Sequence, residues 1–222
     1  MKEIVLDTET TGLSVKDGHR IVEIGCIELD ELIPTNKIFH FYLNPERKVS
    51  EEAFKVHGYS DEFLSNKKKF IEIADDFLEF IKDKILIIHN AEFDISHINN
   101  ELLIAGKQKI TKINIVDTLD IARNKFPGLA ISLDALCKRF RIDNSRREKH
   151  TALVDCELLA KVYINLLDEK EPKLKFNNSI EMKKIESNKV INNYSKKIII
   201  PSVEEFKKHK EFLTKKFKKN FY

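Results

Sequence analysis

Met1-Lys2-Glu3-Ile4-Val5-Leu6-Asp7-Thr8-Glu9-Thr10-Thr11-Gly12 opens the chain, and its reading decides the fold. Ile4-Val5-Leu6 is a short apolar run bounded by polar residues, the pattern of a buried central strand. The strand is expected to end at Asp7, and alternation along an extended chain puts Asp7 and Glu9 on one side. Thr8, Thr10, Thr11 and Gly12 then give it a polar, turn-forming exit. The stretch also turns acidic too early for a secretory leader.

Outward from this strand, residues 20–32 and 37–43 read as two more, joined by a turn at Ile33-Pro34-Thr35-Asn36. A helix is expected over 70–81, then a buried strand at Ile85-Leu86-Ile87-Ile88 and a helix over 92–105. A short strand at Asn114-Ile115-Val116 precedes helices over 119–125, 133–140 and 152–167. Strands first and strand–helix alternation afterwards indicate an α/β domain with a mixed sheet.

The composition changes after Leu167. Residues 168–197 are rich in Lys, Glu, Asn and Ser and read as a linker. Order is expected to resume at Ile198-Ile199-Ile200, with Ser202 and Glu205 forming a capping box. Val203, Phe206, Leu213 and Phe217 follow as a thin apolar stripe at helical spacing. So short a helix has no core of its own, which makes the stripe a candidate partner-binding surface. Three segments result: a domain over 1–168, a linker over 169–197 and a tail over 198–222.

Of 222 residues, 42% are hydrophobic, which excludes disorder throughout. No run of about 18 apolar residues is present to span a membrane. Cys26, Cys137 and Cys156 are odd in number and far apart, so buried free thiols in a reducing cytoplasm are expected. The net charge of +3 is unevenly spread: residues 171–222 hold 14 Lys and 6 Glu with no Arg, a balance of +8 that leaves −5 for residues 1–170. An acidic body holds no polyanion by general electrostatics, so a nucleic-acid partner there needs metal ions or a tether.

Four carboxylates stand out. Asp94 heads a stripe of Ile98, Leu102 and Ala105, and Asp155 heads one of Leu159, Val162 and Leu166. A carboxylate on a core-facing stripe is costly unless paired or bound to metal. Taken singly, each has an ordinary explanation in helix-end stabilisation or a strand-end turn. Taken together with Asp7 and Glu9, they suit hard divalent cations such as Mg²⁺ or Mn²⁺. Two such ions about 4 Å apart stabilise both the attacking and leaving oxygens of a phosphodiester displacement. His150, in the loop entering the helix of Asp155, is placed to act as a general base.

These residues carry a family resemblance. Asp7-Thr8-Glu9-Thr10-Thr11-Gly12, His89-Asn90-Ala91-Glu92-Phe93-Asp94 and His150-Thr151-Ala152-Leu153-Val154-Asp155 resemble, in order, the three motifs of the DEDDh (DnaQ-like) 3′→5′ exonucleases. Asp117-Thr118-Leu119 with Ala122-Arg123, and Ser132-Leu133-Asp134-Ala135-Leu136-Cys137, also fit. The match covers residues 1 to about 168. It implies an RNase H-like fold, a mixed central sheet flanked by helices, with two Mg²⁺ or Mn²⁺ ions as cofactors. Asp7, Glu9 and Asp155 would hold the first ion; Asp7 would bridge to the second, which Asp94 assists. His150 would activate the attacking water. Thr10, Thr11, Gly12, Leu13, His57, Asn90 and Phe93 are the implied substrate contacts at a DNA 3′ end.

The extension beyond the domain is similar to that of the family's polymerase III epsilon branch, whose tail binds the polymerase alpha subunit. Ile198-Ile199-Ile200, Glu204-Glu205, His209 and Leu213 match that segment. Glu171-Pro172-Lys173-Leu174-Lys175-Phe176 sits where the family carries a sliding-clamp motif, with Glu171 replacing the usual leading Gln. The resemblance therefore implies proofreading of mispaired 3′ ends. The catalytic motifs serve equally a free-standing exoribonuclease or oligoribonuclease, and a non-catalytic nucleic-acid-binding module is the remaining alternative.

Overall fold

The computed structural model describes residues 2–111, 114–145, 147, 149–167 and 201–217. The chain divides into two units, Met1–Leu174 and Lys175–Tyr222.

In the first unit, β1 (Lys2–Thr10) buries Ile4, Val5 and Leu6 completely. Contrary to the sequence expectation, the strand does not end at Asp7. The reason is β2 (Ile21–Asp30), which pairs with β1 antiparallel from Lys2↔Asp30 to Thr10↔Ile21 and carries the polar residues along as strand. On its other edge β1 meets β4 (Ile85–Ile88) in parallel, and only through Glu3, Ile4 and Val5. Asp7, Thr8 and Glu9 thus lie where the sheet has a neighbour on one side only.

The β2–β3 hairpin is also shifted from expectation. Its turn is Glu31-Leu32, both at positive φ (50° and 66°), and Ile33-Pro34-Thr35-Asn36 belongs to β3 (Ile33–Tyr42). Two positive-φ residues match the right-handed twist of the flanking strands, although neither is the usual Asn or Gly. Pro34 is tolerated because β3 is an edge strand. With β5 (Ile115–Asp117) parallel to β4, the sheet order is β3-β2-β1-β4-β5.

Helices cover both faces. Short helices α1 (Glu51–His57) and α2 (Asp61–Ser65), which the sequence reading did not anticipate, are capped by Ser50 and Ser60 accepting from Ala53 N and Phe63 N. The expected 70–81 helix is a 3₁₀ turn (Phe70–Glu72) followed by α3 (Ala74–Ile81). Then come α4 (Ala91–Ile104), α5 (Thr118–Lys125), α6 (Leu133–Phe140) and α7 (Ala152–Leu166). Ile4 and Leu6 pack with Phe77, Ile95, Ile98 and Leu102 of α3 and α4. Val5 and Ile87 face the opposite core, with Ala122, Leu136, Leu159 and Val162 of α5–α7. Each such aliphatic side chain, fully buried, contributes about 1.5–3 kcal/mol. Alternation along β1 therefore points Asp7 and Glu9 towards α7, and Thr8 towards α4.

All three cysteines are buried and free. Among the described residues no helix is long and apolar enough to cross a membrane.

In the second unit, α8 (Val203–Phe217) begins with the expected capping box: Ser202 N donates to Glu205 Oε2 (2.8 Å), and Glu205 N to Ser202 Oγ (3.3 Å). Val203 and Phe206 of the stripe are exposed, as is Phe212, and Leu213 is half-buried. The expected linker over 169–197, the Ile198-Ile199-Ile200 run, residues 171–176 and the Phe217 side chain lie outside the described residues.

Candidate active site

In the β1–β2 register Asp7 faces Gly25, and Glu9 faces Glu23. Gly25 lets the start of α7 settle on the sheet: a Cβ there would stand 2.7 Å from the Ala152 carbonyl carbon. Two bonds fix the contact, from Cys156 Sγ to Gly25 O (3.2 Å) and from Ala152 N to Glu23 Oε2 (2.9 Å). Glu23 is completely buried and also bonds Tyr59 OH (2.8 Å) and His40 Nε2 (2.7 Å), tying α7 to the loop after α1 and to β3. With α7 seated and its N-terminus capped by Thr151, Asp155 in the first turn is buried beside Glu9. Glu9, His150 and Asp155 each present a ligand atom within 4.8 Å of the others.

Asp94 arrives from the other side. After β4 the chain turns at Asn90, in the left-handed region at φ 71°. The Asp117 carboxylate holds this turn by accepting from Asn90 N (3.0 Å) and Ala91 N (2.9 Å), while also capping α5 through Leu119 N (2.9 Å). His89 Nδ1 meets Thr118 Oγ1 at 2.9 Å. So started, α4 places Asp94 under Thr8, whose N–H and hydroxyl both donate to Oδ1 (3.0 and 2.7 Å). The family resemblance took in Asp117-Thr118-Leu119, but nothing in the spacing of Asp117 announced this role.

The carboxyl groups repel one another in a dry setting. Burial holds Asp7 well above the usual carboxylate range, with Asp94, Glu9, Asp155 and Glu23 adding to it. Burial and then Asp155, Glu23 and Asp94 push Glu9 up to about 8, against a pull from Arg147. Burial raises Asp94 to about 7 even though the two Thr8 bonds favour its charged form. Crowded carboxylate oxygens with one imidazole are the donor set of a hard divalent cation, whose charge would relieve this repulsion. The residues present therefore fit such an ion.

One cation that the sequence reading missed is already in the site. Arg147 Nε and Nη2 bond both oxygens of Asp155 (2.5 and 2.7 Å), and Nη1 reaches Asp134 Oδ2 (2.7 Å). Nη2 also lies 2.9 Å from His150 Nδ1, which is 3.6 Å from Asp155 Oδ2. Burial and the Arg147 charge lower the His150 pKa, with Asp155 and Asp134 opposing. A basic residue in a charged loop carries no periodicity, so no sequence signal marked Arg147.

All four carboxylates, His150, Asn90 and Phe93 line one cleft of about 390 Å³. A neighbouring cleft of about 510 Å³ is lined by Thr10, Gly12, Leu13, His57 and Phe93, and shares Thr8 and Glu9 with the first. Leu13 is 84% exposed at its rim. His57 is buried; its Nδ1 accepts from Tyr59 N (3.0 Å), and its Nε2 is buried without a hydrogen-bond partner. Thr11 is the exception among the expected contacts. It is fully buried and lines neither cleft, its hydroxyl accepting from Arg20 N (3.0 Å) and meeting His19 Nδ1 (3.0 Å). Alternation along the chain turns it inward while Thr10 and Gly12 face the cleft.

Comparison with known proteins gives the chain's family and fold. The exonuclease (RNase T) family matches residues 4–163. The DNA polymerase III subunit epsilon of Rickettsia felis is 49% identical over 220 residues, covering 96% of each chain. That of Escherichia coli K12 is 47% identical over 171 residues, 73% of this chain and 70% of the relative. Among solved structures, exonuclease X in complex with 5′ overhanging duplex DNA superposes with a TM-score of 0.59 at 24% identity, covering 75% of this chain and 92% of that one. The nuclease domain of 3′hExo, a DEDDh family member bound to rAMP, gives 0.64 at 14% identity, with 76% and 92% covered. The fold shared with these two is RNase H-like.

Proposed function

The chain belongs to the exonuclease family, alongside the epsilon subunits of DNA polymerase III, and from that premise we propose how its residues perform the reaction. It is the 3′→5′ proofreading exonuclease of DNA polymerase III, removing mispaired 3′-terminal nucleotides as 5′-mononucleotides. The observation that carries the mechanism is the meeting of Asp7, Glu9, Asp94, Asp155 and His150, from one strand and the starts of two helices, in a single cleft.

Asp7, Glu9 and Asp155 would hold one divalent ion, Mg²⁺ or Mn²⁺, and Asp7 and Asp94 would hold the second. When bound, the ions neutralise the phosphodiester and stabilise the attacking and departing oxygens. His150 takes a proton from the attacking water as the P–O3′ bond breaks; the departing 3′ oxygen is protonated from solvent. A lowered His150 pKa keeps the imidazole neutral near pH 7, the form a general base requires. Thr10, Gly12, Leu13, His57 and Phe93 receive the terminal nucleotide in the larger cleft, and Asn90 contacts the phosphate side.

The test is a labelled primer–template with a 3′ mismatch, given Mg²⁺, Mn²⁺ or EDTA. Wild-type protein should release mononucleotides only with metal, and Asp7→Ala should be at least about 10³-fold slower. His150→Ala should cost about 10²–10⁴-fold in rate while retaining DNA affinity. Release from short RNA but not from this DNA would replace the proofreading reading by the RNA-trimming one.

The exposed Val203 and Phe206 of α8, rich in Lys around them, support a second proposal: residues 198–222 bind the polymerase alpha subunit. Residues 169–197 act as the connecting linker, and residues 171–176 meet the sliding clamp. Deleting 198–222 should leave hydrolysis of free DNA unchanged and abolish co-purification with alpha; retained co-purification would refute the tail's role. The reaction belongs in the cytoplasm, where the replicating DNA lies.

A further inference from the structure

Arg147 makes more contacts in the site than a surface ion pair needs. Its side chain is 7% exposed and that of Asp155 4%, and the guanidinium grips both Asp155 oxygens. The same Nη2 meets His150 Nδ1 at 2.9 Å. A guanidinium has donors and no acceptor, so Nδ1 must accept here. A neutral imidazole has one accepting nitrogen, so the ring proton sits on Nε2. With Arg147 in place, His150 has no lone pair left for a water. The third partner, Asp134 Oδ2 at 2.7 Å from Nη1, belongs to a side chain 55% exposed at the mouth of the cleft.

We infer that Arg147 is a positioning residue that serves as the site's own cation: it holds Asp155 and His150, and yields both together when a divalent ion takes Asp155 as ligand. This rests on the metal-site reading above. Both oxygens of Asp155 accept from the guanidinium, so an ion ligated by the same carboxylate meets the Arg147 charge at close range and competes with it. Release of Nη2 and Nε from Asp155 also withdraws the donor from His150 Nδ1, which makes the base available only in a loaded site. Asp134 keeps the guanidinium at the rim, where its charge faces the cleft that receives the phosphodiester. A purely structural ion pair between this loop and α7 would contribute the same stability whether or not an ion is bound.

The experiment uses the full chain as wild type, Arg147→Met and Arg147→Lys, with Asp7→Asn as control. Mn²⁺ affinity is read from the electron-paramagnetic signal of free ion, and melting temperature is measured in EDTA and in Mn²⁺. Arg147→Met should bind Mn²⁺ about ten-fold more tightly, the equivalent of about 1.4 kcal/mol of competition removed. Its melting temperature should fall in EDTA, because Asp155 is left buried and uncompensated, and return towards wild type in Mn²⁺. Arg147→Lys, which keeps the charge but cannot fork, should fall between the two. Equal melting losses with and without Mn²⁺, together with unchanged affinity, would overturn the inference. If Arg147→Met does not fold, the lysine variant decides alone: tightened Mn²⁺ binding supports the inference and unchanged binding defeats it. Long-range nitrogen–proton NMR of His150 reads the coupling. Nδ1 should accept in EDTA and lose that donor with Mg²⁺, and an unaltered spectrum would disprove it. Wild type that fails to bind Mn²⁺, or binding unaffected by Asp7→Asn, would sink the metal site itself; normal loss in Asp7→Asn with unmoved Arg147 variants would sink only this inference.

Discussion

Helices α4 and α7 each carry an aspartate as fourth residue, and each aspartate heads a buried apolar stripe on its own face of the sheet. They are satisfied in opposite ways. Asp94 receives two neutral donors from one residue, Thr8 N and Oγ1. Asp155 receives a fork of charged donors from Arg147. The routes that place them differ as well. Asp117 organises the α4 start through the turn at Asn90, whereas α7 is set by the missing side chain at Gly25 and by buried Glu23. Two helix starts of similar sequence pattern thus become one site by different physics: hydrogen-bond compensation on one face, charge compensation on the other. Burial raises the Asp94 pKa to about 7, and the two neutral donors from Thr8 offset that only in part.

The largest effect that separates the two sides should come from Gly25→Ala. The new methyl group meets backbone of α7, which cannot yield as a side-chain end would, so Asp155 and His150 move while the Asp94–Thr8 contact stays. A displacement of about 1 Å costs about 10²-fold in rate, and overpacking adds about 1–3 kcal/mol of instability. Full activity in this variant would show that the α7 side tolerates displacement.

Thr8→Val tests the α4 side. It removes the hydroxyl donor and keeps the backbone one, so a loss of about ten-fold is expected. Because the Thr8 bonds pull the Asp94 pKa down, the pH at which activity reaches half its maximum should also rise. A pH profile unmoved by the substitution would mean that the hydroxyl does not support the charged form.

The smallest effect is on stability. The folded-state pKa values of Glu9 and Asp94 lie above their ordinary ones, so the native protein holds protons that the unfolded chain has released. Stability contributed by these groups is present below the ordinary carboxylate values and is lost as pH rises through about 7 for Asp94 and about 8 for Glu9. This is the reverse of a salt-bridged carboxylate. In EDTA the melting temperature should decline over that window, and Mg²⁺ should flatten the decline. A melting temperature that climbs with pH in EDTA would contradict the raised values.

Much of this was legible in the chain. The Ile4-Val5-Leu6 run, the stripes behind Asp94 and Asp155 and the strand–helix alternation follow from periodicity, which is a local property. The helices α1 and α2 were missed: each has a serine cap followed by two acidic residues, but they are too short to show a periodicity. The length of β1 was not legible, because polar residues become strand only when a neighbour supplies hydrogen bonds. Nor was the inward side of Thr11.

By itself the sequence determined which residues the site has to choose from: a buried strand leading into Asp7 and Glu9, two helices headed by Asp94 and Asp155, and a histidine before the second. Only the tertiary structure decided that these meet, that Glu23 and Asp117 hold the helix starts, and that Arg147 sits among the carboxylates. The physical reason is range. Burial periodicity is written within a few residues, whereas the desolvation and charge that shape this cleft come from groups as far apart as Thr8 and Asp94, or Glu23 and Ala152, which only the folded chain brings within bonding distance.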